Sequence, residues 1–130
     1  MTMLPMIVTV FSRYTSGETL IWQPVILGGV LYRPAEGQTL TANGPEFSGK
    51  TGTLWIPYRP GRVSGQEFFS ATDKSGLFTL RPGDFILPGT VSDTSTTGEL
   101  RERYPNARRI LTVTERRYGT SLDHWKVTVA

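Results

Sequence analysis

The stretch that decides the fold runs from Leu77 to Gly89 and reads LFTLRPGDFILPG. Two short apolar runs flank a Pro-Gly-Asp break. Pro82 presets the φ angle of an early turn position, Gly83 supplies a positive φ, and Asp84 accepts hydrogen bonds from nearby backbone N–H groups. The stretch therefore predicts a strand, a tight turn and a second strand. A Gly-Asp step between apolar runs is typical of small β-barrels, in which strands must bend to close the sheet.

The composition of the chain extends this prediction to the whole molecule. The 130 residues include 14 Gly and 9 Pro, which is high for a helical protein. The apolar runs are short and rich in Val, Ile, Thr and aromatic residues, and these residue types favour strands. We therefore expect one all-β domain over residues 1–130, a small β-barrel with long inserted loops and one short α-helix.

Apolar runs separated by turn residues predict the remaining strands. They cover Ile7–Phe11, Thr19–Tyr32, Thr53–Tyr58, Ile110–Thr114 and Asp123–Val129. The second run contains Pro24 and the pair Gly28-Gly29, where we expect the strand to bend or bulge. In the last run, Trp125 and the apolar residues after it alternate with polar ones, as in a strand with one buried face. The last two runs are expected to pair as a hairpin.

One helix is predicted, over residues 97–104. Thr96 and Glu99 have the spacing of a capping box, which satisfies the free N–H groups at a helix start. Leu100 and Tyr104 lie four residues apart and therefore on one helical face, and the proline after them ends the helix. Two long irregular stretches are expected outside this helix, at residues 33–50 and 59–76. The second contains Phe68-Phe69, which we expect in a short strand or a lid over the core.

The residues that carry chemistry do not form a catalytic constellation. His124 is the one histidine and the chain has no Cys, so no Cys or second His completes a metal site. A serine triad would require His124 as its base, and no Gly-x-Ser-x-Gly elbow precedes a helix. Gly44–Thr51 has the spacing of a phosphate-binding loop but leads into a strand, whereas that motif requires a helix. Asp73, Asp84 and Asp93 lie in loops, where carboxylates usually cap backbone groups. We expect no enzymatic activity, no metal and no cofactor.

The positive charge of the chain is concentrated in one segment. Between residues 99 and 117 there are six Arg and three Glu, which accounts for the whole net charge of +3. These arginines form the Arg strip: Arg101, Arg103, Arg108, Arg109, Arg116 and Arg117. Such a strip is typical of a solvated surface, a contact with an acidic protein face, or nucleic-acid binding. One function that the sequence suggests is therefore a small β-barrel that binds single-stranded nucleic acid through the Arg strip.

Nothing in the sequence points to a membrane. Residues 1–10 have neither the basic region nor the long apolar segment of a signal peptide. No apolar run approaches the length that a bilayer requires. We expect a soluble protein that is made in a cytoplasm and has no membrane partner.

The order and spacing of these pieces resemble the small head-tail joining proteins of tailed bacteriophages. Members of that family are often called minor capsid or head completion proteins and act as stoppers in the neck. The resemblance spans nearly the full chain and rests on Ile7–Phe11, Trp22–Val30, Ile56-Pro57, Leu80–Ile86, Ile110–Val113 and His124–Val127. It implies a β-barrel that assembles as a homo-oligomeric ring, a hexamer, between the portal with its adaptor and the tail. It also implies a place in the virion neck after synthesis in the host cytoplasm.

In that family, one long loop of each subunit projects into the channel and helps to retain packaged DNA. The resemblance places this loop at residues 33–50, with residues 59–76 as the second candidate. The channel-loop residues are then Arg33, Glu36, Gln38, Leu40, Asn43, Glu46, Phe47 and Lys50. Two basic and two acidic side chains leave the loop neutral, which favours steric plugging over phosphate binding. The Arg strip is expected to face either a neighbouring subunit or the DNA.

Overall fold

The computed structural model describes residues 4–34, 51–74, 76–91, 96–97, 100–117, 119 and 123–130. The strands are β1 (Leu4–Ser16), β2 (Thr19–Pro34), β3 (Gly52–Pro57), β4 (Phe85–Pro88), β5 (Thr96–Thr97), β6 (Arg108–Arg116) and β7 (His124–Val129). The helices are α1 (Gly65–Ser70) and α2 (Leu100–Arg103). The all-β prediction is confirmed, although two short helices are present where the sequence predicted one.

Six antiparallel strands close into a barrel. Their order is β1-β4-β6-β7-β3-β2, and pairing between β1 and β2 joins the two ends of the sheet. The short strand β5 pairs with β2 outside this closed ring, where Thr96 lies opposite Trp22. Closure pairs the strands that would otherwise lie at the edges of the sheet, and this protects the barrel from edge-to-edge aggregation.

The predicted irregularity of the second strand lies at its glycine pair. The register of β1 and β2 shifts between Met6 and Val8, where the pair Gly28-Gly29 lies opposite one residue of β1. Gly29 has a φ of 68°, the left-handed conformation that such a bulge uses. Pro24 stays in the ladder opposite Phe11. It is tolerated because, within the described residues, the other side of β2 pairs only at residues 21–22 and 31–34.

The barrel interior is filled by alternate residues of the strands. The main cluster of buried side chains is Val8, Val10, Leu27, Val30, Tyr32, Leu54, Ile56, Phe78, Leu80, Ile86, Ile110, Trp125, Val127 and Val129. The alternation predicted for the last strand is therefore confirmed, since Trp125, Val127 and Val129 are all buried. The hairpin of β6 and β7 is confirmed as well.

The stretch over residues 59–76 contains a helix, so the short strand that was one expectation for Phe68-Phe69 is wrong, whereas the other expectation, a lid over the core, agrees with the buried Phe68. The Ser64 hydroxyl accepts a hydrogen bond from the Glu67 N–H at 3.1 Å and caps the start of α1. Phe68 is fully buried, with its ring centroid 5.6 Å from that of Tyr14 in an edge-to-face contact. The helix therefore covers the barrel end at which β1 finishes.

The turn in the deciding stretch is confirmed, but the strand before it is not. The Asp84 N–H donates to the Arg81 carbonyl oxygen at 3.1 Å, and Gly83 has a φ of 94°. Residues 77–80 form no regular strand, and their pairing is a single parallel bridge between Arg62 and Phe78. The segment lies across the barrel end, where the Thr79 N–H donates to the Ser12 hydroxyl at 2.8 Å. The segment is therefore held by the burial of its side chains and not by the strand pairing that the sequence predicted.

The predicted helix over residues 97–104 is shorter than expected. Thr96 and Thr97 form β5, so Thr96 is not the N-cap of α2, and Glu99 lies outside the described residues. The shared face of Leu100 and Tyr104 is confirmed: Leu100 is buried, and Tyr104 stacks on Phe11 with 5.3 Å between ring centroids. Pairing with β2 competed with helix formation at the two threonines, whose β-branched side chains favour strands.

Candidate functional site

A second apolar cluster lies on the outer face of the barrel wall. It consists of Phe11, Trp22, Phe85, Leu100 and Ala107. Successive residues of a strand point to opposite faces, so Val10 faces the interior while Phe11 and Arg13 face outward. Phe11 pairs with Phe85 of β4, and the Trp22 ring meets the Phe85 ring edge to face at 5.2 Å. Aromatic side chains from three strands therefore make a floor beneath α2.

A pocket of about 380 Å³ opens at the edge of this floor. We call it the arginine pocket; its lining residues are Arg13, Leu20, Trp22, Gly83, Phe85, Leu100, Arg101 and Arg109. Three guanidinium groups reach it from β1, α2 and β6. None of these lining residues carries a side-chain carboxylate, so the described part of the pocket combines an apolar floor with three positively charged side chains.

Arg101 is held in place by the backbone around it. Its Nε donates to the Ala107 carbonyl oxygen at 3.1 Å, and its Nη2 donates to the main-chain oxygen of Ala130 at 2.9 Å. Its guanidinium lies 5.0 Å from the centroid of the Phe85 ring. Burial and the like charges of Arg109 and Arg108 lower the pKa of Arg101. The side chain is thus fixed at a crowded positive position.

The other two arginines of the pocket have no anionic partner in the described parts of the chain. Arg109 lies opposite Phe85 in the ladder of β4 and β6, and its guanidinium is 5.6 Å from the Phe85 centroid. Arg13 projects over the turn at Gly83, where a Cβ atom would collide with its Nη1. Between residues 4 and 130, with the gaps named above, neither guanidinium makes an ion pair or a hydrogen bond. Both remain available to an anion.

The carboxylate of Asp84, next to the lining residue Gly83, is turned inward. Asp84 is completely buried, and its Oδ2 accepts from the Thr79 hydroxyl at 2.5 Å and from Arg81 Nε at 3.1 Å. Its Oδ1 accepts from the Arg13 N–H at 3.4 Å. Burial raises the pKa of Asp84, and these hydrogen bonds and the Arg81 charge oppose that rise. The prediction that Asp84 caps backbone N–H groups is therefore confirmed at Arg13 of the neighbouring strand, whereas within its own turn Asp84 binds side chains.

The Arg strip is not one continuous surface in the fold. Arg101 and Arg109 line the arginine pocket, whereas Arg116 and Arg117 lie at the far end of β6. Arg117 stacks over the Tyr58 ring at 4.1 Å and forms ion pairs with Glu115 at 3.4 Å and Asp123 at 3.3 Å. Arg103 lies over Tyr104, and Arg108 is half-buried.

The pocket includes residues that the sequence did not single out. Neither Arg13 nor Trp22 is among the residues for which the sequence predicts a binding role. One signal was available: Arg13 follows Phe11 by two residues, which places both on the same face of a strand. That signal does not reveal that β4, β6 and α2 meet this face.

The channel-loop prediction falls mostly outside the described residues. Arg33 belongs to β2 rather than to a loop; it is exposed and lies 5.4 Å above the Trp55 ring. Outside the described residues are Glu36, Gln38, Leu40, Asn43, Glu46, Phe47 and Lys50. The chain leaves β2 beside the start of β1, since Leu4 pairs with Tyr32. The end of β2 at Pro34 and the start of β3 at Gly52, which pair with each other, therefore lie at the barrel end opposite α1.

The remaining candidates for chemistry stay scattered in the fold. His124 is half-buried at the start of β7, and Asp73 is exposed before the deciding stretch; Asp93 lies outside the described residues. Among the residues that the structure describes, no three His, Cys, Asp or Glu side chains converge as metal ligands would. No helix in the described ranges has the length and hydropathy needed to cross a bilayer.

Comparison with known proteins identifies one family. No curated protein and no solved structure matches the chain. The match is to a family described as "Family of unknown function (DUF6751)", and it covers residues 6–130. This range contains the barrel from β1 to β7 and every residue of the arginine pocket. The chain therefore belongs to the DUF6751 family of unknown function.

Proposed function

We propose that this protein is a structural virion component of a tailed-phage neck. In this proposal it forms a ring between the portal with its adaptor and the tail, and the ring helps to close the channel and to retain packaged DNA. The observation that carries the proposal is a closed barrel with a long insertion, residues 35–51, at the end away from α1. A rigid barrel with a long connection at one end suits a subunit that projects a loop from a ring.

Exposed apolar side chains on the barrel wall support self-association. Ile7 and Ile26 lie on the paired strands β1 and β2 and are 47% and 48% exposed. Leu111 on β6 is 43% exposed. Apolar groups on the walls of a small protein are favourable contacts for neighbouring copies. The proposal places them between adjacent subunits of a hexameric ring.

The charge of the insertion supports a steric role in DNA retention. Between Arg33 and Lys50 the two basic side chains are matched by Glu36 and Glu46. A loop without net charge gains little from phosphate contacts, whose energy comes mainly from counterion release by cationic side chains. In this proposal the insertion therefore blocks the channel sterically and does not hold the DNA by binding its phosphates.

Immunogold electron microscopy of virions tests the location. Antibody raised against the native chain is applied to particles of a phage that encodes it, both intact and stripped of tails. We expect gold at the head-tail junction, and pre-incubation of the antibody with purified protein as the control should abolish it. Particles that lack label in both forms, with an antibody that binds the folded chain, would refute a place in the neck.

A variant of the insertion tests DNA retention separately. Residues 38–49 are replaced by a Gly-Ser linker of equal length, which keeps the barrel connected. We expect the purified variant to retain the circular dichroism spectrum of the barrel, while phage heads assembled with it lose their DNA. Heads that retain a full complement of DNA would show that the insertion is not needed for DNA retention.

Nucleic-acid binding through the Arg strip is the alternative that the sequence raised. It requires the six arginines to follow one strand of nucleic acid. In the fold the arginines at the arginine pocket are separated from Arg116 and Arg117, which lie at the other end of β6. Arg117 is also already paired with Glu115 and Asp123. For this reason the neck component is the preferred function.

A further inference from the structure

We propose that the arginine pocket is a binding site for the phosphodiester backbone of nucleic acid. The site is formed by Arg13, Arg101 and Arg109 over the floor of Trp22 and Phe85. It differs from the Arg strip, because it includes Arg13 of β1 and excludes both arginines at the far end of β6. It does not depend on the neck proposal, since it concerns a property of the isolated chain.

The state of the guanidinium groups identifies the ligand as an anion. Arg13 and Arg109 make no ion pair or hydrogen bond within the described residues, and none of the described lining residues has an acidic side chain. Two hydrogen bonds to main-chain oxygen atoms orient Arg101 before any ligand arrives. A planar guanidinium offers paired donors that match the oxygens of a phosphate. An anion in the pocket would also relieve the repulsion between the crowded arginines.

The aromatic floor indicates that the ligand is recognised by its phosphates and not by its bases. Trp22 and Phe85 are only 6% and 7% exposed, so neither ring offers a free face for stacking. Arg101 and Arg109 both lie over the Phe85 ring, at 5.0 and 5.6 Å. The rings therefore position the guanidinium groups through cation–π contacts. Binding of this kind does not depend on base sequence.

A neighbouring groove favours a chain of phosphates over a single free ion. A second pocket of about 210 Å³ adjoins the first and shares Arg13 and Leu20 with it. It adds the exposed ring of Phe69 and Arg81, whose charge is already paired with Asp84 at 3.1 Å. The two pockets together form a path on one face of the barrel, with Arg13 at their junction. A nucleic-acid backbone with regularly spaced phosphates is long enough to follow this path, whereas inorganic phosphate fills one position.

Fluorescence anisotropy with labelled oligonucleotides tests the proposal. The purified full chain is titrated into a 20-nucleotide single strand and a 20-base-pair duplex at several salt concentrations. The variants are Arg13→Gln and Arg109→Gln, and the control is Arg116→Gln, which removes the same charge outside the pocket. Arg101 is left intact because it also bonds to the backbone. Circular dichroism and thermal unfolding establish that each variant is folded.

We expect both oligonucleotides to bind, with affinity independent of base sequence. Each pocket variant should weaken binding on the order of tenfold. The slope of log affinity against log salt concentration should fall by about one, as expected for the loss of one phosphate contact, while Arg116→Gln stays close to wild type. Equal losses in all three variants would overturn the proposal in favour of diffuse surface charge. A parallel titration with inorganic phosphate, followed by tryptophan fluorescence, separates the sources of the phosphate. Phosphate binding without oligonucleotide binding, or binding of neither, would overturn the assignment to nucleic acid.

Discussion

The Nε atom of Arg81 lies 3.1 Å from the Oδ2 atom of Asp84, and this ion pair spans the turn that precedes β4. Asp84 is completely buried, whereas the Arg81 side chain is 30% exposed. The same Arg81 guanidinium donates through Nη2 to the main-chain oxygen of Arg13. One arginine thus connects the turn in the deciding stretch to β1, the strand that contributes Arg13 to the arginine pocket.

Replacement of the Asp84 carboxyl group by an amide should destabilise the fold. In Asp84→Asn the new amide NH₂ faces groups that donate hydrogen bonds to the wild-type carboxylate, so one donor faces another. We therefore expect the free energy of unfolding to fall by about 2–3 kcal/mol. Urea denaturation measures this loss. Glu102→Gln is the control, because Glu102 is exposed and should change stability by less than about 0.5 kcal/mol. An Asp84→Asn protein as stable as wild type would mean that the ion pair does not stabilise this turn.

The pH dependence of stability should carry the signature of Asp84. Burial raises the pKa of Asp84 in the folded state above its value in the unfolded chain. The folded state therefore binds more protons in the window between the two pKa values, and the corresponding stabilisation is lost as pH rises through the folded pKa. Relative to Asp84→Asn, the wild-type free energy of unfolding should fall as pH increases from about 3.9, the ordinary Asp value. Parallel urea denaturation of both proteins from pH 3.5 to 7 measures the difference; a constant or rising difference would contradict the raised pKa.

Gly52 should be intolerant of a side chain. A Cβ atom there would lie 2.5 Å from Tyr32 Oη and 2.7 Å from Tyr32 Cζ, and the Tyr32 ring is buried and cannot move aside. We expect Gly52→Ala to cost about 1–3 kcal/mol, as overpacking does. The matched control is Gly28→Ala, where the nearest atom is Ile7 Cγ1 at 3.9 Å. Thermal unfolding should show a lower midpoint for the first variant alone, and equal midpoints would exclude the close packing of Tyr32 as a constraint.

The two adjacent phenylalanines of α1 should differ sharply in their contribution to stability. Phe68 is fully buried at the barrel end, whereas Phe69 is 60% exposed. We expect Phe68→Ala to cost about 3–5 kcal/mol through loss of buried area and a residual cavity. Phe69→Ala should change the free energy of unfolding by about 0.5 kcal/mol or less. Chemical denaturation of both variants measures the contrast, and similar losses would show that α1 is not docked through Phe68.

The sequence predicted the features that depend on neighbours along the chain. The turn at Pro82-Gly83 and the alternation from Trp125 onward both follow from local backbone chemistry. Ser64 and Glu67, which bond to each other at the start of α1, are a local signal of the same kind. The prediction of a loop over this stretch did not take that signal into account. Strand β5 was missed because its two residues are ordered by pairing with β2, which lies far away in sequence.

The sequence by itself determined the all-β class, because the period-two alternation of apolar residues already sets which side of each strand is buried. Only the tertiary structure decided where the chain closes and what its outer face carries. Arg13, Arg101 and Arg109 come together because β1 pairs with β4, β4 pairs with β6, and α2 packs over their shared wall. No local pattern specifies such a meeting, since the energy of barrel closure comes from contacts between residues distant in the sequence.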